Sequence, residues 1–311
     1  MKQPLELATW LEYHRAVVGI ERFYLRIEGT PGLKPLLRQR PWKSLVHVMF
    51  DEWPRRLAEG SPKSSDGFDE AAIAQATSTQ SHVNVTRVRQ GAFVNVIIPL
   101  ARADGLTHLL FLDSDELLYC PNGVDQLHTA LRAAPADRVD CHLRNLEALF
   151  PSRACESPFR QSVVFRHLPD QYTSYSSGKS IGRLDAPAIQ SYGVHHFRVG
   201  EDVGMRGGRI TYPIPPEAAV VLHYESASFD GWLTKFLELS ARSTDRYRSL
   251  DRVPFRFYRL SLSAARAILD ARGSLRDGIR GAARVEDSPR STQREAVEAK
   301  GHTVEAPVSI R

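Results

Sequence analysis

A chain of 311 residues holds one large α/β domain, or one domain with an appendage. Hydrophobic residues make up 42% and charged residues 25%, the balance of an ordinary globular protein, and a net charge of +5 suits an anionic small substrate without requiring one. No Lys/Arg block with interleaved aromatics argues for nucleic acid, and the cysteines Cys120, Cys141 and Cys155, without C-x-x-C spacing, argue against a disulfide framework or a thiolate zinc site and are expected to be buried free thiols, with one bridge at most.

In chain order, residues 5–18 place Leu7, Trp10, Leu11, His14, Val17 and Val18 near one helical face, with Gly19 as the stop. Ile20 to Ile27 reads as an aromatic-rich strand, Thr30-Pro31 opens a short helix through Leu37, and Ser44 to Phe50 is a second strand. Residues 59–69 read as loop, and a helical region follows from Asp69 to Ala103, broken near Ser81. Thr107 to Leu112 is predicted as a strand, Pro121-Asn122-Gly123 as a turn, and Val124 to Ala134 as an amphipathic helix.

After residue 138 the texture changes to short strand-like pieces: Val139 to Leu149, Ser162 to Arg166, Lys179 to Leu184, His195 to Val199 and Ala218 to Tyr224. Helix returns over 228–272, with Trp232, Phe236 and Leu239 near one face, and residues 273–311 read as a weakly ordered polar tail. Alternating helix and strand in the first part predicts a mixed, mostly parallel sheet flanked by helices. The later strands would line an acceptor site. No segment reaches the ~18 apolar residues that span a bilayer, and the N-terminus MKQPLELATW lacks the apolar core of a secretory signal.

The chemistry concentrates in His108 to Tyr119, HLLFLDSDELLY, where an unalternating apolar run ends in Asp113, Asp115 and Glu116. The run has the length of a buried parallel strand, and ligands of open α/β sheets bind at the carboxyl ends of strands. Asp113 and Asp115 could converge on one hard cation, Mn²⁺ or Mg²⁺, that holds a substrate diphosphate. The plain alternative is an acidic surface turn. His223 ends a second apolar strand and is the candidate third metal ligand, against the commoner role of a core histidine. Lys179 and Arg183, in a basic turn, are candidate phosphate or sugar contacts, against a solvated loop. Glu147 is the candidate general base, with Glu201, Asp202 and Glu225 as rivals. Of His195 and His196 at most one can face the site, because neighbouring strand residues point to opposite faces, and His196 is taken as the substrate-side residue. The chain has no G-x-S-x-G elbow, no Walker loop and no G-x-G-x-x-G after a strand.

These segments, in this order, resemble the family-2-like and family-92-like glycosyltransferases. The resemblance is carried by TWLEYHRAVVGIERFYLR, FLDSDELLY, SYSSGKSIGRL, GVHHFRV and VVLHYESASFDGWLTKF, and covers most of residues 5–240. It implies a GT-A fold over residues 1–272, a nucleotide-sugar donor (typically a UDP-sugar), a glycan or other hydroxyl acceptor, and usually Mn²⁺. Carried over by position, Asp113 and Asp115 fall on the D-x-D, His223 on the "HY" histidine and Lys179 on the "GKS" lysine; the base does not carry over. One departure is expected to matter. In the family a strand precedes the first helix, whereas only Met1 to Pro4 precede it here, so that a sheet edge is expected to be open or rebuilt. An anchor upstream would place the protein in the Golgi or secretory lumen.

Two other readings compete with a metal-dependent glycosyltransferase. One is a non-catalytic relative that binds a glycan or protein. The other, resting on the acids alone, is a metal-dependent phosphohydrolase or nucleotidyltransferase.

Overall fold

A computed structural model describes residues 6–27, 31–49, 82–149, 155, 157–172, 175–200, 211–225, 229–241 and 257–271. The chain divides into two units, 1–266 and 267–311, and the first carries every strand described. Helix α1 spans Leu7–Ala16 and buries Leu7, Trp10, Leu11 and His14, the stripe that its 3.6-residue period aligns. Strand β1 (Phe23–Arg26) pairs in parallel with β2 (Val46–Met49), and two short helices, α2 (Lys34–Arg38) and α3 (Trp42–Leu45), lie between them in sequence. Helix α4 is His82–Ala103; the rest of the helical region expected from Asp69 lies outside the described residues.

The acid-bearing segment belongs to two strands, β3 (His108–Leu110) and β4 (Glu116–Tyr119), followed by helix α5 (Val124–Ala133). Further strands are β5 (Asp140–Leu143), β6 (Asn145–Ala148), β7 (Phe165–Arg166), β8 (Lys179–Arg183), β9 (Ile189–Tyr192), β10 (His196–Val199), β11 (Thr211–Pro213) and β12 (Val220–His223), with the short helix α6 (Pro158–Gln161) before β7. Helix α7 is Phe229–Ala241, and α8 covers 257–271.

Two four-stranded sheets carry the fold, in the orders β11-β5-β8-β3 and β4-β12-β6-β7; β1-β2 and β9-β10 form two smaller ones. The architecture is mixed α/β, but the sheets are not mostly parallel. Among the described residues three strand pairs are parallel, β1–β2, β11–β5 and β12–β6, and five are antiparallel. The expectation came from reading 107–112 as a buried parallel strand. In the structure β3 is half-buried and runs antiparallel to β8. An apolar run reports burial on both faces and carries no information on the direction of its neighbour.

Among the described residues the chain passes three times from one large sheet to the other within a few residues. It leaves β3 and enters β4 across Phe111 to Asp115, leaves β5 and enters β6 at Arg144, and leaves β11 and enters β12 across Ile214 to Ala219. The single strand expected over 139–149 is therefore two strands in two sheets. Leu118, Cys141, Leu143, Ile181 and Val221, drawn from both sheets, share one buried cluster. A second cluster joins Trp10, Leu11, Phe23, Leu25, Trp42, Leu117 and Leu222, and a third packs Phe93, Val94, Ile97 and Ile98 of α4 on Leu184, Ile189 and Phe197. All three cysteines are free thiols; Cys141 is buried, while Cys120 and Cys155 are only half-buried. No helix among the described residues is long and apolar enough to cross a membrane.

One edge of β4 pairs with β12, and the other is met by side chains of α1. Trp10 Nε1 donates to the Glu116 carbonyl at 2.7 Å, Tyr13 Oη donates to the Leu118 carbonyl at 3.0 Å, and the Leu118 N–H donates to His14 Nε2 at 3.1 Å. The W-x-x-Y-H spacing puts these three groups on one helical face, where they take the hydrogen bonds that a neighbouring strand would take. His14 Nδ1 faces the Trp10 carbonyl at 2.8 Å, so the ring carries its proton on Nδ1 and accepts on Nε2.

A second proton on His14 would break the bond from Leu118. Burial holds its pKa down at about 4, against 6.5 for a free histidine. Between these values the unfolded chain binds the extra proton, so stability falls as pH drops from 6.5 towards 4. The loss from this group approaches about 3 kcal/mol, since each tenfold difference in proton affinity is worth about 1.4 kcal/mol. His14→Gln should melt below the wild type at pH 7, and thermal melts across the acid range should show that gap narrowing. A gap that stays constant to pH 4 would refute the assignment.

Candidate functional site

The site forms where the two large sheets meet, because β3 delivers the acids from one sheet while β4 and β12 belong to the other. Asp113 Oδ2 accepts from Lys179 Nζ at 2.7 Å, and its Oδ1 accepts from Gln90 Nε2 on α4 at 3.1 Å. The Asp113 N–H donates to Glu116 Oε2 at 2.8 Å, closing a turn across the D-x-D-E segment. Glu116 has no solvent exposure; Tyr175 donates to its Oε1, and Lys179 Nζ lies 3.4 Å from its Oε2.

Lys179 is itself fully buried. Its ammonium also reaches the Val194 carbonyl at 3.3 Å and lies 4.8 Å from the centre of the Phe111 ring. Burial pushes the Asp113 carboxyl up, but Lys179 beside it, together with His223 and His195, outweighs burial and holds it below the usual range. Burial dominates at Glu116 and raises its pKa against the pull of Lys179.

Two residues after Asp113, the second acid faces a different set of partners. Asp115 Oδ2 lies 4.0 Å from His223 Nε2, and His223 Nε2 lies 3.9 Å from Glu225 Oε2. Ligand atoms of Asp115, His223 and Glu225 all fall within 4.8 Å of one another. The Tyr224 N–H donates to the Asp115 carbonyl at 2.8 Å and ties the two strand ends together. Burial raises the Asp115 pKa, opposed by His223 and Lys235. Burial pushes Glu225 up as well, but Lys235 and His223 outweigh it and hold its pKa low. Lys235 on α7 donates to Glu225 Oε1, and Tyr258 on α8 donates to Oε2 at 3.0 Å.

Two carboxylates and an imidazole at this spacing fit an oxygen-preferring divalent cation that tolerates one nitrogen.

The expected residues divide among several places. Asp113, Asp115, Lys179 and His223 meet at the sheet junction, but Asp113 stands outside the Asp115–His223–Glu225 group, with each of its carboxylate oxygens hydrogen-bonded. Lys179 faces acids and a carbonyl. Arg183 lies at the far end of β8, opposite His108 in register, where it pairs with Asp185 at 2.7 Å and with the Pro135 carbonyl at 3.1 Å.

His196 turns to the other side of its strand. It meets Asp140 at 2.9 Å and stacks on His142 at 5.0 Å. His195 is the histidine near the junction: its Nδ1 lies 2.7 Å from the Gly178 carbonyl, its ring lies 5.2 Å from Tyr175, and burial, with the charge of Lys179, lowers its pKa to about 4.

Glu147 is the register partner of His223 on β6, while Glu116 partners His223 on β4 and Arg166 partners Glu147 on β7. Glu116, His223, Glu147 and Arg166 thus form one polar row across four strands. Within it Glu147 is 3% exposed and accepts from Arg166 at 3.0 Å. Glu201 and Asp202 lie outside the described residues.

The residues that the sequence did not place in the site are Gln90, Tyr175, Lys235 and Tyr258, and Glu225 stood only as a rival base. Tyr175 and Lys235 sit inside the segments SYSSGKSIGRL and VVLHYESASFDGWLTKF, so their neighbourhood was readable. Nothing in local spacing points to Gln90 or Tyr258, which arrive from separate helices.

Over 247 residues, 71% of this chain, the sequence is 26% identical to a glycosyltransferase-like protein of Arabidopsis thaliana. The match takes in 51% of that relative, so the chain spans about half its length. No family model matches the chain, and no solved structure matches it significantly.

Proposed function

We propose that the chain is a metal-dependent glycosyltransferase with a GT-A-like fold, moving a sugar from a nucleotide diphosphate donor, most simply a UDP-sugar, to a hydroxyl acceptor. The observation that carries this reading is the convergence of Asp115, His223 and Glu225 at the end of two strands, in a chain with a glycosyltransferase-like relative. The proposed ligands are these three residues, and Mn²⁺ suits the imidazole better than Mg²⁺ does. When bound, the cation would neutralise charge developing on the diphosphate leaving group.

The protein's own groups do the rest. Lys179 and Gln90 hold Asp113 at the mouth of the junction, with 36% of its side chain exposed, where it can meet donor hydroxyl groups. The Asp113–Glu116 turn sets the direction of Asp115 between them. Lys235, 37% exposed at its side chain, offers a cation beside the ion group. We read Glu147, held by Arg166, as part of the polar row that orients His223 and not as the base.

Titration calorimetry with UDP should show binding that requires Mn²⁺. Asp115→Ala should weaken it by at least about tenfold, since even partners of metal ligands are worth roughly 10- to 100-fold in affinity. Equal UDP affinity in that variant without Mn²⁺ would defeat the proposal.

A further inference from the structure

Glu225 belongs to two constellations at once. One is the ion group with Asp115 and His223. The other is a clasp from the C-terminal helices, in which Lys235 of α7 holds Oε1 and Tyr258 of α8 holds Oε2 at 3.0 Å. The two uses compete for one carboxylate. Its Oε2, 3.9 Å from His223 Nε2, is the oxygen that Tyr258 holds, and the ammonium on Oε1 draws the negative charge away and repels a divalent cation across a few ångströms.

Charge arithmetic separates the states. Asp115, Glu225 and Lys235 carry a net charge of −1, and a divalent cation would bring the group to +1, with Lys235 the only group no longer matched. Its side chain is 37% exposed, whereas that of Glu225 is 5% exposed, so the ammonium has an open side and the carboxylate does not. An anion arriving with the cation can take the ammonium that Glu225 gives up.

We propose that Glu225 is exchanged between Lys235 and the divalent cation, and that the released Lys235 ammonium then binds a phosphate oxygen of the nucleotide diphosphate. This rests on the ion site proposed above. Cation and diphosphate would bind cooperatively: each alone meets the closed Lys235–Glu225 pair, and together they replace both halves of it. The clasp keeps the group from holding a cation tightly when no donor is present.

Mn²⁺ binding by wild type, Lys235→Met and Tyr258→Phe, each with and without UDP, tests this by calorimetry. Lys235→Met is expected to take up Mn²⁺ alone about tenfold more tightly, the size of effect that one neighbouring charge exerts on another, and to bind UDP in the presence of Mn²⁺ about tenfold more weakly. Tyr258→Phe removes only a hydroxyl. It should tighten Mn²⁺ alone by about threefold, from the loss of one competing hydrogen bond. It decides the exchange if the lysine variant fails to fold.

Shifts of the same sign for Mn²⁺ and UDP in Lys235→Met, or unaltered Mn²⁺ affinity in Tyr258→Phe, overturn the exchange while leaving the ion site standing. No Mn²⁺ uptake by any of the three proteins, with or without UDP, defeats the ion site and the exchange with it.

Discussion

Lys179→Met is expected to destabilise the protein by about 3–5 kcal/mol, the usual consequence of removing one partner from a buried ion pair. Methionine nearly matches the volume of the lysine stem, so packing on Phe111 survives and the loss is electrostatic. Glu116 would be left with no solvent exposure and no cation, and its pKa, already raised by burial, would rise further until it takes up a proton. Asp113, which is partly exposed, would recover some solvation, so most of the effect belongs to Glu116. Urea unfolding of the variant measures it.

The double variant Lys179→Met/Glu116→Gln should regain part of the loss, because no buried charge then remains unmatched. A different role for Lys179 gives a different result. A lysine that only contacts phosphate would leave unfolding unchanged on substitution and would lower UDP affinity alone. That outcome would show that the buried pairing has little energetic weight.

Gly178→Ala is expected to be comparably severe for a steric reason. The backbone there is left-handed, with φ +61°, and a Cβ would stand 2.1 Å from the Leu143 carbonyl oxygen and 3.0 Å from the His142 ring. Leu143 is laddered to Lys179 in the β5–β8 pairing, so its carbonyl cannot retreat without opening the sheet. The left-handed conformation costs about 1–2 kcal/mol and the overpacking about 1–3 kcal/mol more. Because Gly178 is the immediate neighbour of Lys179, which holds Asp113, UDP binding should weaken together with stability. Gly193→Ala is the control. Its φ of +67° carries the same backbone strain, but nothing lies within 4 Å of the added carbon. Equal losses in the two variants would mean that the contact with Leu143 is relieved cheaply.

The sequence was most informative where one residue's chemistry is local. Most expected elements of the described chain lie within a few residues of their predicted bounds, as α5 does at Val124–Ala133 and β12 at Val220–His223. Asp113, Asp115, Lys179 and His223 were read as one neighbourhood, and they do come together at the sheet junction. The W-x-x-Y-H segment was legible as a helix, with Trp10 and His14 near one face. Its role against β4 was not, since the partner strand lies about a hundred residues away.

The errors have a common origin. Apolar content told that 107–112 is a strand, but direction is a property of a pair, and the pair was β3 with β8. Arg183 and Lys179 share a strand, and in sequence they form one basic turn. The extended strand separates them by the length of β8, so only Lys179 reaches the acids. The His195-His196 pair shows the same limit. Alternation required that one ring face the site and one turn away, and only the third dimension assigned His196 to Asp140 and His195 to the neighbourhood of Tyr175.

By itself, then, the sequence determined the elements, the acids at a strand end and the supply of histidine and lysine nearby, because helix period, strand alternation and residue chemistry are written within a few positions. Tertiary structure alone decided which acid meets which partner. Burial in a low-dielectric junction makes each carboxylate take the nearest cation or ligand group. Packing brought Lys179 to Asp113 and Glu116, and placed Glu225 between Asp115, His223 and Lys235.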